Sequence, residues 1–426
     1  MFRTFMITDV VKMIDGKTHI KSLELVRGIS INSKMTKPGD VFFALKGERT
    51  DGHFYTKEAL HNGAVGVVVE KDTGCGAEIL VSDTLFALGK LAQEYRSFFR
   101  PRTIGITGTN GKTTVKNLIA AILNKKYRVL CTKKNFNSLI GLPLILFELS
   151  YDQEYLVVEM GTSSPGEIRR LCEIARPHIG LITNIGPGHL QGLGSIEGIR
   201  QEKLSLVKCL PEDGFALVGE DVGDIERKNI MRFSLKMLED IELGENGSQF
   251  SLDGNSYFTP LLGIGNVYNC LAALCLTSKM GVEYDIQREA IADVRPEPGR
   301  MEPIRDNGLF IINDTYNANP VSMRAAMDFA AFLKRKKVFI LGDMRELGEE
   351  SKRLHVEIGD YARKHCELLL TYGDEATYYQ GKHFKDKYAL TRFLVKNLYG
   401  DEAILIKASR ALQFEEIVQE MLRLLR

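Results

Sequence analysis

The chain has 426 residues, 44% of them hydrophobic and 26% charged, which is typical of globular protein and too long for one compact core. Its 56 lysines and arginines nearly balance its 55 aspartates and glutamates. The resulting net charge of +1 offers no general basic field for a nucleic acid or an anionic membrane. We therefore expect two or three domains, no nucleic-acid partner, and local features that bind any anionic ligand.

The cysteines and the first helical segment bear on the cellular location of the protein. Seven scattered cysteines form no Cys-x-x-Cys pair, which favours reduced, mostly buried thiols over a zinc or redox site. The first helical pattern, at residues 7–14, contains Asp9 and Lys12 and so lacks the apolar centre of a secretion signal. No segment is apolar and long enough to span a bilayer. We expect a cytoplasmic protein without membrane insertion.

Short β-branched runs, each followed by glycine or polar residues and then by a helical pattern, recur along the chain. Two precede Pro101, at residues 40–45 and 64–70. The others lie at residues 103–107, 155–159, 179–184, 310–315, 337–342 and 403–407. This alternation predicts an α/β fold with parallel strands.

Two breaks divide this pattern. One lies near residue 100, and the other is the stiff Arg-Pro-Glu-Pro-Gly segment at residues 295–299, which suits neither helix nor strand. We predict three α/β domains, at residues 1–99, 100–298 and 299–426. Short alternating runs within residues 215–260 predict an antiparallel hairpin on the edge of the central sheet.

A glycine-rich turn follows the strand at residues 103–107 and leads into a helix predicted to end near Lys125. Its glycines allow backbone N–H groups to face a triphosphate, while Lys112 can reach the outer phosphates and Thr113 can ligate Mg²⁺. Ile106 replaces the first glycine of the strict phosphate-loop pattern, so a chance Gly-Lys-Thr at a strand-to-helix turn is the alternative. The predicted nucleotide-binding residues are Gly108, Thr109, Asn110, Gly111, Lys112, Thr113 and Thr114.

Polar residues follow the next two strands on the same sheet edge. Glu159 ends an apolar strand, where its carboxylate can hold a metal or orient water, although capping of the next helix fits equally well. Asn184 and His189 come after the following strand, but a lone histidine is usually a packed or surface residue. Lys203 lies in a helical pattern that would normally expose it to solvent, and spacing alone gives it no role.

Taken together, these motifs resemble the Mur ligase family over essentially the whole chain. The resemblance is carried by the glycine-rich turn, Glu-Met-Gly at 159–161, Asn-Ile-Gly-Pro-Gly-His-Leu at 184–190 and Glu-Pro-Gly-Arg-Met-Glu at 297–302. It implies an ATP-dependent peptide ligase with a uridine-nucleotide-binding N-terminal domain, a central ATPase domain of the phosphate-loop type and a Rossmann-like C-terminal domain. It also implies an acyl-phosphate intermediate and a tetrahedral intermediate.

The family pattern implies specific roles for residues of this chain. Lys112, Glu159, His189 and Lys203 would be catalytic. Two Mg²⁺ ions are implied, with Thr113 ligating one and a carbamylated Lys203 holding the second together with Glu159 and His189. Three further residues would contact ATP: Arg300 its phosphates, Asp314 its ribose and Asn269 its adenine.

Three further segments resemble the branch of the family that joins D-alanyl-D-alanine to UDP-N-acetylmuramoyl-tripeptide. They are residues 133–143, residues 313–322 with their Tyr-Asn-Ala-Asn-Pro, and residues 341–348. Helix caps and turns are the alternative for each segment. Substrate contacts are predicted for Asn135, Asn137, Asn184, Asn317 and Asn319.

The N-terminal segment at residues 31–53 resembles the family's uridine-nucleotide-binding domain, where Ser33 and Lys46 would contact the UDP part. Lys34 replaces an arginine that is usual in the family, so a single ammonium would replace a bidentate contact. Gly265 and Ala408 likewise replace a usual histidine and glycine. These departures leave the nucleotide and metal residues better supported than the amino-acid substrate residues.

We expect a monomer, and three alternatives to the ligase interpretation stay open. The ligase that adds the third peptide residue has an Asp-Asn-Pro-Arg stretch in its diaminopimelate-using members, which is absent here. Enzymes similar to folylpolyglutamate synthase carry the glycine-rich turn near the chain start, whereas about 100 residues precede it here. A non-catalytic, nucleotide-gated binding protein would release no phosphate with all substrates present.

Overall fold

The computed structural model describes residues 2–20, 24–47, 49–133 and 136–426, and within these ranges the chain forms five β-sheets. Three of the sheets are large and are flanked by helices, and they follow one another along the chain. The predicted α/β fold is confirmed. In the described part of the chain, no helix is both long and apolar enough to cross a membrane.

The N-terminal region contains a five-stranded sheet of order β2-β7-β6-β5-β4, parallel except for β2, and a separate antiparallel pair, β1 with β3. The strands are β1 (Phe5–Met6), β2 (Lys17–Thr18), β3 (Leu25–Val26), β4 (Gly28–Ser30), β5 (Asp40–Phe43), β6 (Gly66–Val69) and β7 (Glu78–Leu80). The helices are α1 (Ile7–Met13), α2 (Thr56–His61) and α3 (Thr84–Ser97).

An aromatic cluster joins the N-terminal region to the central one. Tyr95 of α3 is fully buried, with its ring centroid 5.0 Å from that of Phe2 and 5.4 Å from that of Phe147. Its hydroxyl donates to the backbone carbonyl of Leu149 at 3.2 Å. Arg96, also buried, donates to the carbonyl of Ala175 at 3.0 Å. The apolar core is therefore continuous across this boundary.

The central region is built on a six-stranded parallel sheet of order β13-β12-β11-β8-β10-β9. Its strands are β8 (Arg102–Thr107), β9 (Val129–Cys131), β10 (Tyr155–Glu159), β11 (Ile179–Ile182), β12 (Phe215–Gly219) and β13 (Ile230–Phe233). Its helices are α4 (Lys112–Asn124), α5 (Gly141–Leu146), α6 (Glu167–Ala175), α7 (Leu190–Leu193), α8 (Ile196–Lys208), α9 (Ile264–Lys279) and α10 (Tyr284–Ala292). Because β8 lies between β10 and β11, the loops after these three strands meet at one edge, where α/β sheets bind ligands.

The antiparallel strands predicted within residues 215–260 form, but not on the central sheet. They make a separate three-stranded sheet of β14 (Leu238–Gly244), β15 (Gly247–Leu252) and β16 (Asn255–Thr259). Its apolar side chains, among them Phe250 and Tyr257, are buried in the core shared with α9 and α10. The predicted placement is therefore wrong, because packing against helices takes the place of pairing with β13.

The C-terminal region has a six-stranded sheet of order β17-β18-β22-β19-β20-β21, in which only the β17–β18 pair is antiparallel. The strands are β17 (Glu302–Asp306), β18 (Leu309–Asp314), β19 (Lys336–Gly342), β20 (Leu368–Tyr372), β21 (Lys382–Phe384) and β22 (Glu402–Lys407). The helices are α11 (Pro320–Phe332), α12 (Ser351–His365), α13 (Lys387–Lys396) and α14 (Glu415–Leu425). Residues 295–299, which connect this region to the central one, are neither helix nor strand.

Candidate active site

The carboxyl ends of β8, β10 and β11 open into a cavity of about 900 Å³ that is also walled by the C-terminal region. Gly108 and Lys203 do not line it, but Nζ of Lys203 donates to the carbonyl of Gly108 next to the lining residue Thr109. The predicted residues that line the cavity are Thr109, Asn110, Gly111, Lys112, Thr113, Thr114, Asn137, Glu159, Asn184, His189, Asn269, Arg300, Asp314, Asn317 and Asn319. Side chains scattered over more than 200 positions of sequence thus share one site.

The turn at residues 108–111 has the backbone that a phosphate chain requires. Gly108 and Gly111 have φ values of +146° and +82°, and an added Cβ would lie 1.8 Å from Oγ1 of Thr183 and 2.1 Å from Oδ1 of Asn269. Helix α4 follows directly, with no side-chain cap at Gly111, so its first N–H groups are available to a ligand. Ile106, which stands where the strict phosphate-loop pattern has glycine, is fully buried and packs in the core of the central region.

Lys112 is folded back over this turn. Its Nζ donates to the carbonyl oxygens of Gly108 at 2.7 Å and of Thr109 at 3.1 Å. Burial lowers the pKa of Lys112, and the nearby Glu159 opposes that shift. The ammonium is thus already positioned above the helix N-terminus, where phosphate oxygens would lie.

Glu159, which is 3% exposed, is the centre of an oxygen-rich cluster. Its Oε2 accepts from the hydroxyl of Thr113 at 2.8 Å, and its Oε1 accepts from Nδ2 of Asn137 at 2.8 Å. Arg300, from the start of the C-terminal region, donates to the same Thr113 hydroxyl at 3.0 Å. An adjacent carboxylate and hydroxyl are the hard donors that Mg²⁺ prefers, so these residues fit the ion.

The alternative reading of Glu159, as a cap of the following helix, is wrong. Helix α6 has Gly166 as its N-cap residue and Glu167 in its first turn. The Glu167 carboxylate accepts from the backbone N–H groups of Ser163 at 2.6 Å and Ser164 at 3.0 Å. The N–H groups of Gly166 and Ile168, at the start of α6, donate to the carboxylate of Glu202, so Glu159 does not cap this helix and is left to the site.

Lys203 is not a solvated helix lysine, because its side chain is buried, with 1% of the residue exposed. Its Nζ donates to the carbonyl of Gly108 at 3.0 Å, directly under the phosphate loop. The carboxylate of the preceding Glu202 accepts from the N–H groups of Gly166 and Ile168, each at 2.7 Å. Burial, and then the nearby charge of Lys112, lower the pKa of Lys203 well below its usual range.

Two predicted substrate asparagines brace the phosphate loop through Asn110. Asn184 accepts from the backbone N–H of Asn110 at 2.9 Å and donates to its carbonyl at 3.1 Å. Asn319 donates from Nδ2 to Oδ1 of Asn110 at 2.7 Å and caps α11 by accepting from the N–H of Ser322 at 2.9 Å. The helix-cap alternative is therefore correct for Asn319, and substrate contact by either residue stays a prediction.

We expect Asn184→Ala to weaken nucleotide binding about tenfold, since losing the partner of a part-buried group costs ~1–3 kcal/mol. Titration calorimetry with ADP measures the effect. Asn397→Ala is the matched control, because Asn397 donates only to the carbonyl of Phe393 on the exposed end of α13. Unchanged ADP affinity in Asn184→Ala would show that the loop does not need this brace.

Asp314 is held from two sides in the C-terminal region. Its Oδ2 forms an ion pair with Nζ of Lys407, and its Oδ1 accepts from the N–H of Met301 at 3.1 Å. Nζ of Lys407 also donates to the carbonyl of Asn317 at 2.8 Å. The sequence reasoning missed Lys407, although it ends β22 directly beside Asp314 of β18, so the strand-end pattern used for Glu159 could have found it.

Two other cavity residues were not predicted. The ring of Tyr316 lies 3.7 Å from the guanidinium carbon of Arg300, a cation–π contact that fixes this arginine over the cavity. Glu346, in the loop after β19, places its carboxylate against Nδ1 of His189. This contact, more than any other, lowers the pKa of Glu346.

The residues predicted to contact uridine lie apart from this cavity. Ser33 is 7% exposed, and its hydroxyl donates to the carboxylate of Glu58. Lys46 is exposed, and its backbone pairs with that of Asp51. Their roles stay predictions, and Asn135 lies outside the described residues.

The fold and the cavity together define a nucleotide-binding α/β protein of the phosphate-loop type. Family models match most of the chain: the Mur ligase family catalytic domain at residues 25–96, the Mur ligase middle domain at 106–277 and the Mur ligase glutamate ligase domain at 299–421. The chain belongs to the Mur ligase family, which confirms the resemblance seen in its motifs.

Relatives share nearly the full length of the chain. UDP-N-acetylmuramoyl-tripeptide--D-alanyl-D-alanine ligase of Bacillus subtilis is 34% identical, with 98% of each chain covered. A crystal structure of MurF from Acinetobacter baumannii superposes with a TM-score of 0.92 at 28% identity, covering 99% of each chain. MurF of Thermotoga maritima in complex with ADP has a TM-score of 0.88 at 30% identity, covering 94% of this chain and 98% of that one.

Proposed function

We propose that the chain is an ATP-dependent ligase that joins D-alanyl-D-alanine to UDP-N-acetylmuramoyl-tripeptide in cytoplasmic peptidoglycan precursor synthesis, acting as a monomer. The observation that carries the proposal is one cavity that combines the phosphate loop, the Glu159 cluster and the Tyr-Asn-Ala-Asn-Pro segment of residues 316–320. The ligase of that name in Bacillus subtilis, 34% identical along nearly its whole length, supports it.

The three regions take separate parts of the work in this proposal. Residues 1–99 bind the UDP part through Ser33 and Lys46, and residues 100–298 bind ATP. Residues 299–426 bind the incoming D-alanyl-D-alanine and close on ATP. The cavity wall that the C-terminal region supplies, including Arg300, Asn317 and Asn319, supports this division.

The first chemical step activates the tripeptide. A carboxylate oxygen is a poor leaving group, so the terminal carboxylate of the tripeptide first attacks the γ-phosphate of ATP and forms an acyl phosphate and ADP. Lys112 and Arg300 neutralise the negative charge that spreads over the transferring oxygens. The N–H groups at the start of α4 hold the phosphate chain in line.

Magnesium fits the oxygen-rich end of the site. Thr113 would hold one ion, and Glu159, His189 and a carbamylated Lys203 would hold the second. Bound Mg²⁺ neutralises phosphate charge and orients the reacting oxygens. The described residues contain no cluster of three or more His, Cys, Asp or Glu side chains suited to a metal, and a carbamylated Lys203 would add an oxygen donor to Glu159 and His189. The lowered pKa of Lys203 favours the neutral amine that reacts with carbon dioxide to give such a ligand.

The second step forms the amide. The neutral amine of D-alanyl-D-alanine attacks the acyl carbon, and the tetrahedral intermediate loses one proton from nitrogen and expels phosphate as its C–O bond breaks. Water would hydrolyse the acyl phosphate, so the contacts from Arg300 to Thr113 and from Asn319 to Asn110 also serve to keep the cavity closed.

A substrate panel tests the proposal. We expect phosphate release only when ATP, UDP-N-acetylmuramoyl-tripeptide and D-alanyl-D-alanine are all present, with product identified by mass. Release with the UDP-muramoyl dipeptide and a single diamino acid would instead indicate the ligase that adds the third residue. No release with any combination would indicate a nucleotide-gated binding protein.

A further inference from the structure

Glu346 of the C-terminal region meets His189 of the central region across the boundary between them. The Glu346 carboxylate contacts Nδ1 of His189, and its backbone carbonyl accepts from the N–H of Gln191 at 3.0 Å. These contacts lie at the entrance of α7, where the loop after β11 faces the loop after β19. They place a carboxylate from one region on a side chain of the other.

Both residues have left-handed backbone conformations, which residues other than glycine rarely adopt. The φ of His189 is +61° and that of Glu346 is +63°. Such conformations are costly and persist where the surrounding structure requires them, as they do at functional sites. Among the described residues with such backbones, these two face each other across the boundary between the regions.

The contact has a defined chemical effect on the imidazole. A histidine whose Nδ1 faces a carboxylate carries its proton on Nδ1, which leaves the Nε2 lone pair free for a metal. The carboxylate also fixes the orientation of the ring. The side chains are 25% exposed for His189 and 50% exposed for Glu346, so the contact lies at the edge of the cavity.

We propose that Glu346 is a positioning residue that completes the second magnesium site when the C-terminal region closes. It holds His189 in the tautomer and orientation that a metal ligand needs, and it can do so only from the closed arrangement. The inference rests on the metal role that the proposed function gives to His189. Because coupling between two equilibria is reciprocal, metal at this site also favours closure.

Other contacts across the boundary do not involve Glu346. Arg300 donates to Thr113 at 3.0 Å and Asn319 to Asn110 at 2.7 Å, and both act on the phosphate loop. Loss of the Glu346 carboxylate should therefore leave nucleotide binding intact. A defect confined to the second metal and to closure distinguishes a positioning role from general damage.

The test uses the full chain with Glu346→Gln and Glu346→Ala, and Glu349→Gln as the matched control. Glu349 has the same charge and is exposed three residues further on, outside the cavity. Mn²⁺, which accepts the same oxygen and nitrogen donors as Mg²⁺, is titrated by electron paramagnetic resonance with ADP and bicarbonate present. X-ray scattering of the same samples reports closure, and calorimetry reports the affinity for ADP.

We expect the weaker Mn²⁺ site to lose affinity about tenfold or more in both Glu346 variants, which is the usual effect of removing a partner of a metal ligand. The radius of gyration measured by scattering should stay at the value of the open protein, while ADP affinity changes less than about twofold and Glu349→Gln behaves as wild type.

Unchanged Mn²⁺ binding and closure in Glu346→Gln would overturn the inference. So would a rise in the D-alanyl-D-alanine KM alone, since Glu346 would then contact the dipeptide. A wild-type chain without ligase activity would refute the proposed function but leave both physical readouts able to decide on Glu346.

Discussion

Lys112→Ala is expected to lower kcat about 100- to 1,000-fold without unfolding the protein. Removal of one preorganised group that stabilises transition-state charge costs ~10²–10³ in kcat, and Lys112 lies over the helix N-terminus where the γ-phosphate would react. The fold should tolerate the change, because the charge of Lys112 disfavours the charged form of the buried Lys203 and the variant removes that repulsion.

Phosphate release with saturating substrates measures the loss, and a thermal unfolding scan measures the stability. Lys126→Ala provides the control, since Lys126 is exposed just beyond the end of α4. Near-normal phosphate release by Lys112→Ala would contradict the assignment of residues 108–113 as a phosphate loop. A large fall in the unfolding temperature would show that Lys112 stabilises the turn, and its catalytic role would then need a variant that keeps the fold.

The local sequence pattern was sufficient to predict the strands and the helix that carry the nucleotide site. The predicted strands at 103–107 and 155–159 correspond to β8 and β10, and the predicted helix after the turn corresponds to α4. Alternation of side chains and the conformational freedom of Gly108 and Gly111 are properties of neighbouring residues, so the sequence displays them directly. The order of β8, β10 and β11 then places Glu159 beside the loop.

What sequence pattern could not predict depends on contacts between distant residues. Lys407 pairs with Asp314 across 93 positions, and Glu346 meets His189 from another region altogether. Lys203 shows the same limit, because a helix pattern cannot tell which face of α8 will be covered by the phosphate loop. The placement of β14 to β16 also failed for this reason, since alternation predicts strands but not the surface that they bury.

The second prediction with a large expected effect on activity concerns the buried Lys203. Its Nζ lies directly under the phosphate loop, where an ammonium would repel bound Mg²⁺. Addition of carbon dioxide to the neutral amine forms an N–C bond and releases a proton, which replaces the positive charge with a carboxylate-like oxygen donor. Burial already lowers the pKa of Lys203 well below its usual range, so the reactive neutral amine is more accessible than that of a solvated lysine.

We therefore expect Lys203→Ala to lose about 100-fold or more of its activity, since the loss of a metal ligand is at least as damaging as the loss of a ligand's partner. Added formate or acetate should restore part of it by supplying a carboxylate in the vacated space. Lys203→Arg should stay inactive, because guanidinium keeps its charge and forms no carbamate. Lys208→Ala, at the exposed end of the same helix, is the control and should retain full activity.

Because arginine in so buried a position can also disturb the fold, a second measurement tests the modification itself. Wild-type protein in ¹³C-bicarbonate with Mg²⁺ and ADP should show a carbamate carbon signal that is missing from Lys203→Ala and present in Lys208→Ala. The signal should weaken at lower pH, since protonation of the amine opposes the addition of carbon dioxide. Absence of the signal from active wild-type protein, or normal activity of Lys203→Arg, would rule out the carbamate and leave Lys203 as a buried donor to the carbonyl of Gly108.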